Sequence, residues 1–266
     1  MNGQAKSPVV IAVCGKGGTG KTVVSALLTR LLTAKPGGRV LAIDADPAVG
    51  LLTALGVEAT RTVDDIRNEL IRRIGAGQTL QKRELLATLD YELFASLAER
   101  NNLACLAIGR PESEGCYCQV NSLLRDIIRN TASGFDHVVI DSEAGIEQVN
   151  RRVFELVTHL LLVPDVSIRG RRVADVIERV ARKTVIPQKT GVIFNRIRRG
   201  HDVSSLVKGM RLQALGYLPE DDAVALADQE GRSLLSKRMG DKIMGDNVTL
   251  VDDGLSAETV PLPFDF

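Results

Sequence analysis

The sequence predicts a doubly wound α/β fold, a mainly parallel twisted sheet of about seven or eight strands with helices on both faces. Three observations lead there. Short apolar runs rich in β-branched residues recur along the chain, as strands buried on both faces require. Segments of helical periodicity separate most of them, and a parallel strand pair needs such a crossover. The first run passes directly into a glycine-rich stretch and then a helical pattern, the order in which α/β sheets present a ligand loop.

In chain order, strands are expected at Val9 to Cys14, Val40 to Ile43, Leu103 to Ile108, His137 to Asp141, His159 to Val163, Gly191 to Asn195 and Gln213 to Leu218. Val23 to Leu32 has the spacing of a helix, as does Val120 to Arg129. Thr62 to Asn101 reads as an insertion of two or more helices, with Ile66, Leu70, Ile74, Leu85, Leu89 and Phe94 as core contacts. It could also form a docking surface. No repeat or low-complexity linker is visible, and one domain spanning residues 1–266 is the simplest count.

Composition narrows the function classes. The chain has 34 basic and 33 acidic residues, so bulk charge favours neither nucleic acid nor an acidic membrane surface. No apolar stretch is long enough to cross a bilayer, and Met1-Asn2-Gly3-Gln4-Ala5-Lys6 leads into a strand rather than a signal peptide. A cytoplasmic protein is expected, without membrane or nucleic-acid partner. Four cysteines then read as thiols or metal ligands rather than a disulfide framework.

Residues 15 to 22, Gly15-Lys16-Gly17-Gly18-Thr19-Gly20-Lys21-Thr22, have the chemistry of a phosphate loop. The glycines let consecutive N–H groups curl around phosphate oxygens, and the next helix points its N-terminus at the same anion. Lys21 adds charge against the terminal phosphates, and the Thr22 hydroxyl is placed to hold Mg²⁺. Two strand-end carboxylate clusters should meet this loop: Asp44-Ala45-Asp46-Pro47 and Asp141-Ser142-Glu143-Ala144-Gly145-Ile146-Glu147. A strand-end aspartate can hold a Mg²⁺-bound water and another can orient the attacking water. Any one aspartate alone could equally be a turn residue or helix cap.

The second lysine, Lys16, makes the loop resemble the deviant Walker A motif of the P-loop NTPase family that includes MinD, ParA, the nitrogenase iron protein, arsenical-pump ATPases and CooC-type nickel-insertion ATPases. The resemblance covers most of residues 8 to 235. It implies an ATPase that dimerises around ATP and Mg²⁺, with Lys16 reaching the partner's nucleotide as an arginine finger would. It also implies that Asp46 activates water in switch I, that Asp44 and Asp141 support the metal shell, and that Gly145 belongs to switch II. Asn195-Arg196 resembles the family's adenine contact, and Leu218-Pro219-Glu220-Asp221 its second base-side loop.

Gly115-Cys116-Tyr117-Cys118 separates the members of this family. In an extended segment, residues two apart face the same side, so Cys116 and Cys118 could present two thiolates to one soft metal ion. Thiolate sites commonly want four ligands, which a two-fold axis would supply from a second chain. A pair of unligated cysteines is the alternative. Cys14 and Cys105 fall within expected strands and read as small core residues.

With the loop, Asp44 to Pro47 and Asp141 to Glu147, the cysteine pair resembles that of CooC-type ATPases, which mature the nickel site of carbon monoxide dehydrogenase. The resemblance implies a homodimeric metallochaperone whose cargo is Ni²⁺, or Zn²⁺ by the same ligand chemistry, and whose client is a nickel enzyme. Two alternatives differ in what they require. A nitrogenase-like reductase needs a cysteine in or near switch II, and residues 141 to 150 contain none. A MinD- or ParA-like positioning ATPase shares the nucleotide site, and Arg151-Arg152, Arg169 to Arg172 and Arg196 to Arg199 could touch phosphates. A membrane-cycling form would be expected to end in a basic amphipathic helix, which Pro261 and Pro263 interrupt.

Overall fold

The computed structural model describes residues 7–76, 82–109, 118–142, 156–184, 187–198 and 201–235. Through them the chain runs β1 (Val9–Cys14), α1 (Lys21–Thr33), β2 (Val40–Ala45), α2 (Gly50–Leu55), α3 (Val63–Gly75), α4 (Lys82–Ser96), β3 (Ala98–Arg100) and β4 (Leu103–Ala107). It continues through α5 (Cys118–Ser133), β5 (His137–Ser142), β6 (His159–Leu162), α6 (Ile168–Thr184), β7 (Lys189–Ile197), α7 (Val203–Val207), β8 (Gln213–Pro219) and α8 (Asp222–Gln229). The strands form one sheet of eight in the order β3-β4-β2-β5-β1-β6-β7-β8. Every neighbouring pair is parallel except β3 with β4. This is the doubly wound sheet that the sequence predicts.

Period-two alternation sends each central strand to both faces. Val10, Ala12 and Cys14 of β1 join Leu41 and Ile43 of β2 in one core, beneath α3, α4, α5 and α6. Ile11 and Val13 join Val40 and Ala42 in the other, beneath α1, α2 and α8. Burial on both faces is why these strands read as unbroken apolar runs.

All seven expected strands are present. The eighth, β3, gives no signal in sequence, being three residues with two exposed charges, Glu99 and Arg100, at the sheet edge. Those charges and that brevity discourage a further strand from pairing there. The helices expected within Thr62 to Asn101 are α3 and α4, and Ile66, Leu70, Leu85 and Leu89 are buried as expected, while the Ile74 side chain lies outside the described residues. Phe94 is not a core contact. It is 68% exposed, because α4 turns its Leu85, Leu89 and Leu93 stripe inward and the residue after Leu93 points away.

Parallel pairing brings the functional ends together. Asp44 lies opposite Asp141 across β2 and β5, and Val13 lies opposite Asp141 across β1 and β5. The loop after β1 and both carboxylate clusters therefore share one sheet edge, the carboxyl edge at which such folds bind ligands.

Candidate functional site

The loop after β1 is shaped for close approach. A Cβ on Gly15 would sit 2.4 Å from the Val163 carbonyl oxygen, so only glycine lets the loop pass the end of β6. Gly20 caps α1 with φ of 85°, a left-handed conformation that disfavours any side chain, and a Cβ there would meet Asn195 Nδ2 at 2.2 Å. No side chain caps the first turn of α1, and that turn contains no acidic residue. Its free N–H groups and positive dipole end are left for an anion.

The lysines take different positions. Lys21 is buried and its Nζ donates to the Lys16 carbonyl at 3.3 Å, under the loop. Thr19 Oγ1 donates to the same carbonyl at 2.9 Å. Lys16 points outward instead, 60% exposed, with its Nζ 3.7 Å from Asp165 Oδ2 just beyond β6. Asp165 is itself fixed, accepting from the Ser167 N–H at 2.9 Å and from the Ser167 hydroxyl. These bonds, the hydroxyl's first and the Lys16 charge among the weaker causes, hold its carboxyl below the usual range.

The carboxylates lie beneath the loop. Asp44 is fully buried and accepts from the N–H groups of Leu51 at 2.8 Å and Leu52 at 3.3 Å through Oδ2, and of Asp46 at 3.1 Å through Oδ1. It therefore anchors the start of α2. Burial pushes its pKa up to about 7, with the Asp141 charge adding to the rise against those backbone bonds. Asp46 sits half-buried at the loop edge, its Oδ1 accepting from Ala48 N–H at 2.9 Å.

Asp141 accepts the Ser25 hydroxyl at 3.0 Å through Oδ1. Its Oδ2 is buried without a hydrogen-bond partner among the described residues. Burial pushes its pKa up to about 6, opposed by the Thr22 and Ser25 hydroxyls and the Lys21 charge. An orphaned carboxylate oxygen near the Thr22 hydroxyl, one strand from Asp44, fits Mg²⁺ held directly by a hydroxyl and through waters by carboxylates.

Both raised values make stability depend on pH. A buried carboxyl that keeps its proton to pH 6 or 7, where the unfolded chain loses it near 4, makes the folded state bind more protons in between. Stability contributed by the protonated form is lost as pH rises through the folded values. Asp141→Asn keeps an acceptor for Ser25 without the charge. In nucleotide-free protein it is expected to stabilise the chain by on the order of 1–2 kcal/mol at pH 8 and hardly at all at pH 4, read as Tm. Equal effects at both pH values would contradict the buried charge.

Beside the loop lies a cavity of about 290 Å³, lined by Val23, Leu27, Asn195, Arg196, Pro219 and Val224 among others. Apolar walls with a polar rim suit a planar base. Asn195 Nδ2 donates to Thr19 carbonyl at 3.1 Å and Arg196 Nη1 to Gly18 carbonyl at 3.3 Å, so both side chains also brace the phosphate loop. Arg196 has φ of 58°, a strained backbone for a residue with a side chain.

A sequence profile of the CobQ/CobB/MinD/ParA nucleotide binding domain matches residues 10–235. The chain belongs to that family. An uncharacterized ATP-binding protein of Methanocaldococcus jannaschii is 36% identical over 226 residues, covering 84% of this chain and 89% of that protein. The carbon monoxide dehydrogenase accessory protein CooC of Rhodospirillum rubrum is 32% identical over 233 residues, covering 84% and 88%. Among solved structures, the septum site-determining protein MinD of Pyrococcus horikoshii complexed with Mg-ADP matches with a TM-score of 0.64 at 21% identity, covering 90% of this chain and 93% of that one. Within the CobQ/CobB/MinD/ParA family the chain is an ATPase.

The structure brings the glycine-rich loop after β1, Asp44, Asp46 and Asp141 to one sheet edge, the juxtaposition that the sequence predicts. Cys118 lies in helix α5, two residues ahead of the expected Val120. Cys116 lies outside the described residues, as does Gly145. Among the described residues no group of three or more His, Cys, Asp or Glu could hold a metal. Cys14 and Cys105 are fully buried, and burial pushes both thiols up to about 12, which keeps them protonated.

Two residues escape the sequence reading. Ser25 stands one helical turn beyond Lys21 and Thr22, a spacing that could have placed it on the same face. Asp165 follows β6 and stands two residues before Ser167, a turn signal that says nothing of Lys16. No helix among the described residues is long and apolar enough to cross a membrane.

Proposed function

We propose that the chain is an ATP-dependent homodimeric metallochaperone that carries nickel between two subunits and delivers it to a nickel enzyme of the carbon monoxide dehydrogenase type. The observation that carries this reading is the Cys116-Tyr117-Cys118 pair, in a chain 32% identical to a carbon monoxide dehydrogenase accessory protein. Its position supports the reading. Cys118 lies in α5, the next described element after β4, and β4 pairs with β2, the strand that carries Asp44.

In the proposed cycle, the α1 N-terminus and Lys21 bind the phosphates, and Asn195, Arg196 and Pro219 flank the base. Thr22, Asp44 and Asp141 would hold Mg²⁺, which neutralises phosphate charge when bound. Asp46, the least buried of the three aspartates, orients the attacking water. Lys16 leaves Asp165 to reach the nucleotide of a second subunit. The same closure brings two cysteine pairs together, four thiolates for one nickel ion, so nucleotide and metal bias one interface.

An anaerobic Ni²⁺ titration of nucleotide-free, ADP-bound and non-hydrolysable-ATP-bound protein, read with dimer mass, tests this. One nickel per two chains is expected. Replacing Cys116 and Cys118 with Ser should abolish that stoichiometric binding and leave the thermal transition in place; equal nickel uptake by the double variant would rule out the cysteine site. A positioning ATPase would show nucleotide-dependent dimers with no stoichiometric metal.

A further inference from the structure

Helix α6 contains six basic residues and two acidic ones in a chain whose net charge is only +1. The outward residues share one stripe. At 100° per residue, Ile168, Arg169, Arg172, Val176 and Arg179 fall within about 100° of arc, spread over about 16 Å of helix at 1.5 Å per residue. Ala174, Ile177 and Ala181 occupy the opposite side and are buried in the core.

The stripe is unusual in two ways. Ile168 is 64% and Val176 52% exposed, two of the few large apolar side chains so placed. Arg169, Arg172 and Arg179 are exposed and make no ion pair or side-chain hydrogen bond among the described residues. Neighbouring arginines off the stripe are engaged: Arg171 donates to the carbonyls of Ser205 and Leu206, and Arg182 pairs with Glu178. Of the two acids, Glu178 lies off the stripe and Asp175 stands at its edge, half-buried, its Oδ1 without a hydrogen-bond partner among the described residues.

We propose that this stripe is a docking surface for the acidic face of a protein partner. Arginines without a partner among the described residues, interspersed with exposed aliphatic side chains, combine charge steering with apolar area that water covers at a cost, the make-up of a protein interface. Nucleic acid is the poorer fit. The sequence pI is about 7.7, and the aliphatic residues interrupt the row of cations that a phosphate backbone would follow. The identification of the partner as the client metalloenzyme rests on the proposed function; the surface itself does not.

The test measures binding of the full chain to purified nickel-free carbon monoxide dehydrogenase by calorimetry at low and high salt, with a short duplex DNA as counter-probe. Arg172→Glu with Arg179→Glu, and separately Val176→Asp, should each weaken enzyme binding by about tenfold or more. Arg211→Glu, exposed but off this helix, should leave it within about twofold. ATPase rate, nickel stoichiometry and Tm should be unchanged in all three. Unchanged enzyme affinity in the double reversal would overturn the proposal, as would DNA binding lost in that variant while enzyme binding persists. No binding by the wild-type chain would also overturn it. One nickel per two chains in that same sample would leave the metallochaperone reading standing.

Discussion

Lys16→Ala is expected to reduce ATP hydrolysis by about a thousandfold or more while leaving ATP affinity within a few-fold of wild type. The geometry separates the two effects. Lys21 and the uncapped amides of α1 face the anion from below, and Lys16 contributes only its backbone carbonyl to that arrangement. The Lys16 side chain points out of the site to Asp165, so its loss removes little that binds a nucleotide within one chain. A cation that arrives only on closure acts on the transition state and on the interface. Equilibrium nucleotide binding, single-turnover hydrolysis and light scattering with a non-hydrolysable analogue would separate these quantities. Wild-type turnover in the variant would sink the role assigned to Lys16.

Gly15→Ala should be among the most damaging single-methyl changes at the site. The added carbon would overlap the Val163 carbonyl at 2.4 Å, and Val163 is tied to the end of β1, its N–H donating to the Cys14 carbonyl at 2.8 Å. Either β6 or the phosphate loop must shift. Overpacking of this kind costs about 1–3 kcal/mol. That corresponds to a Tm lowered by about 3–10 °C in a chain of this size. Because the loop is the softer of the two, ATP affinity should fall by about a hundredfold or more through misaligned amides. Gly18→Ala makes the comparison, since a Cβ at Gly18 meets nothing within 4 Å, although its φ of 80° carries strain. Nucleotide binding equal to wild type in Gly15→Ala would show that the passage by β6 is not tight.

The sheet was legible because its central strands are covered on both sides, which leaves apolar runs that periodicity finds directly. Asp44 and Asp141 were legible for a related reason. A carboxylate at the end of such a run lies at the ligand edge, and register then sets the two side by side. β3 was not, since pairing with β4 rather than any pattern of its own makes it a strand. The outward turn of Phe94 was hidden because a helix with leucine at three of its inward positions fills its core side without it. Ser25, Asp165 and the bracing of the loop by Asn195 depend on contacts across 116, 149 and 176 residues of sequence. Spacing along the chain carries no record of those.

If Lys16 acts across the dimer as proposed, its pairing with Asp165 makes abundance a control variable. Both side chains are substantially exposed, and such a pair is worth at most about 1 kcal/mol, roughly a fivefold preference. A lone subunit thus keeps its lysine occupied but not locked. In the proposed cycle, what a solitary chain lacks is company, and the delay before hydrolysis is set by how often two ATP-loaded copies meet. Turnover per chain should then climb with protein concentration before it levels off, so that a cell could meter the activity by how much of the protein it makes.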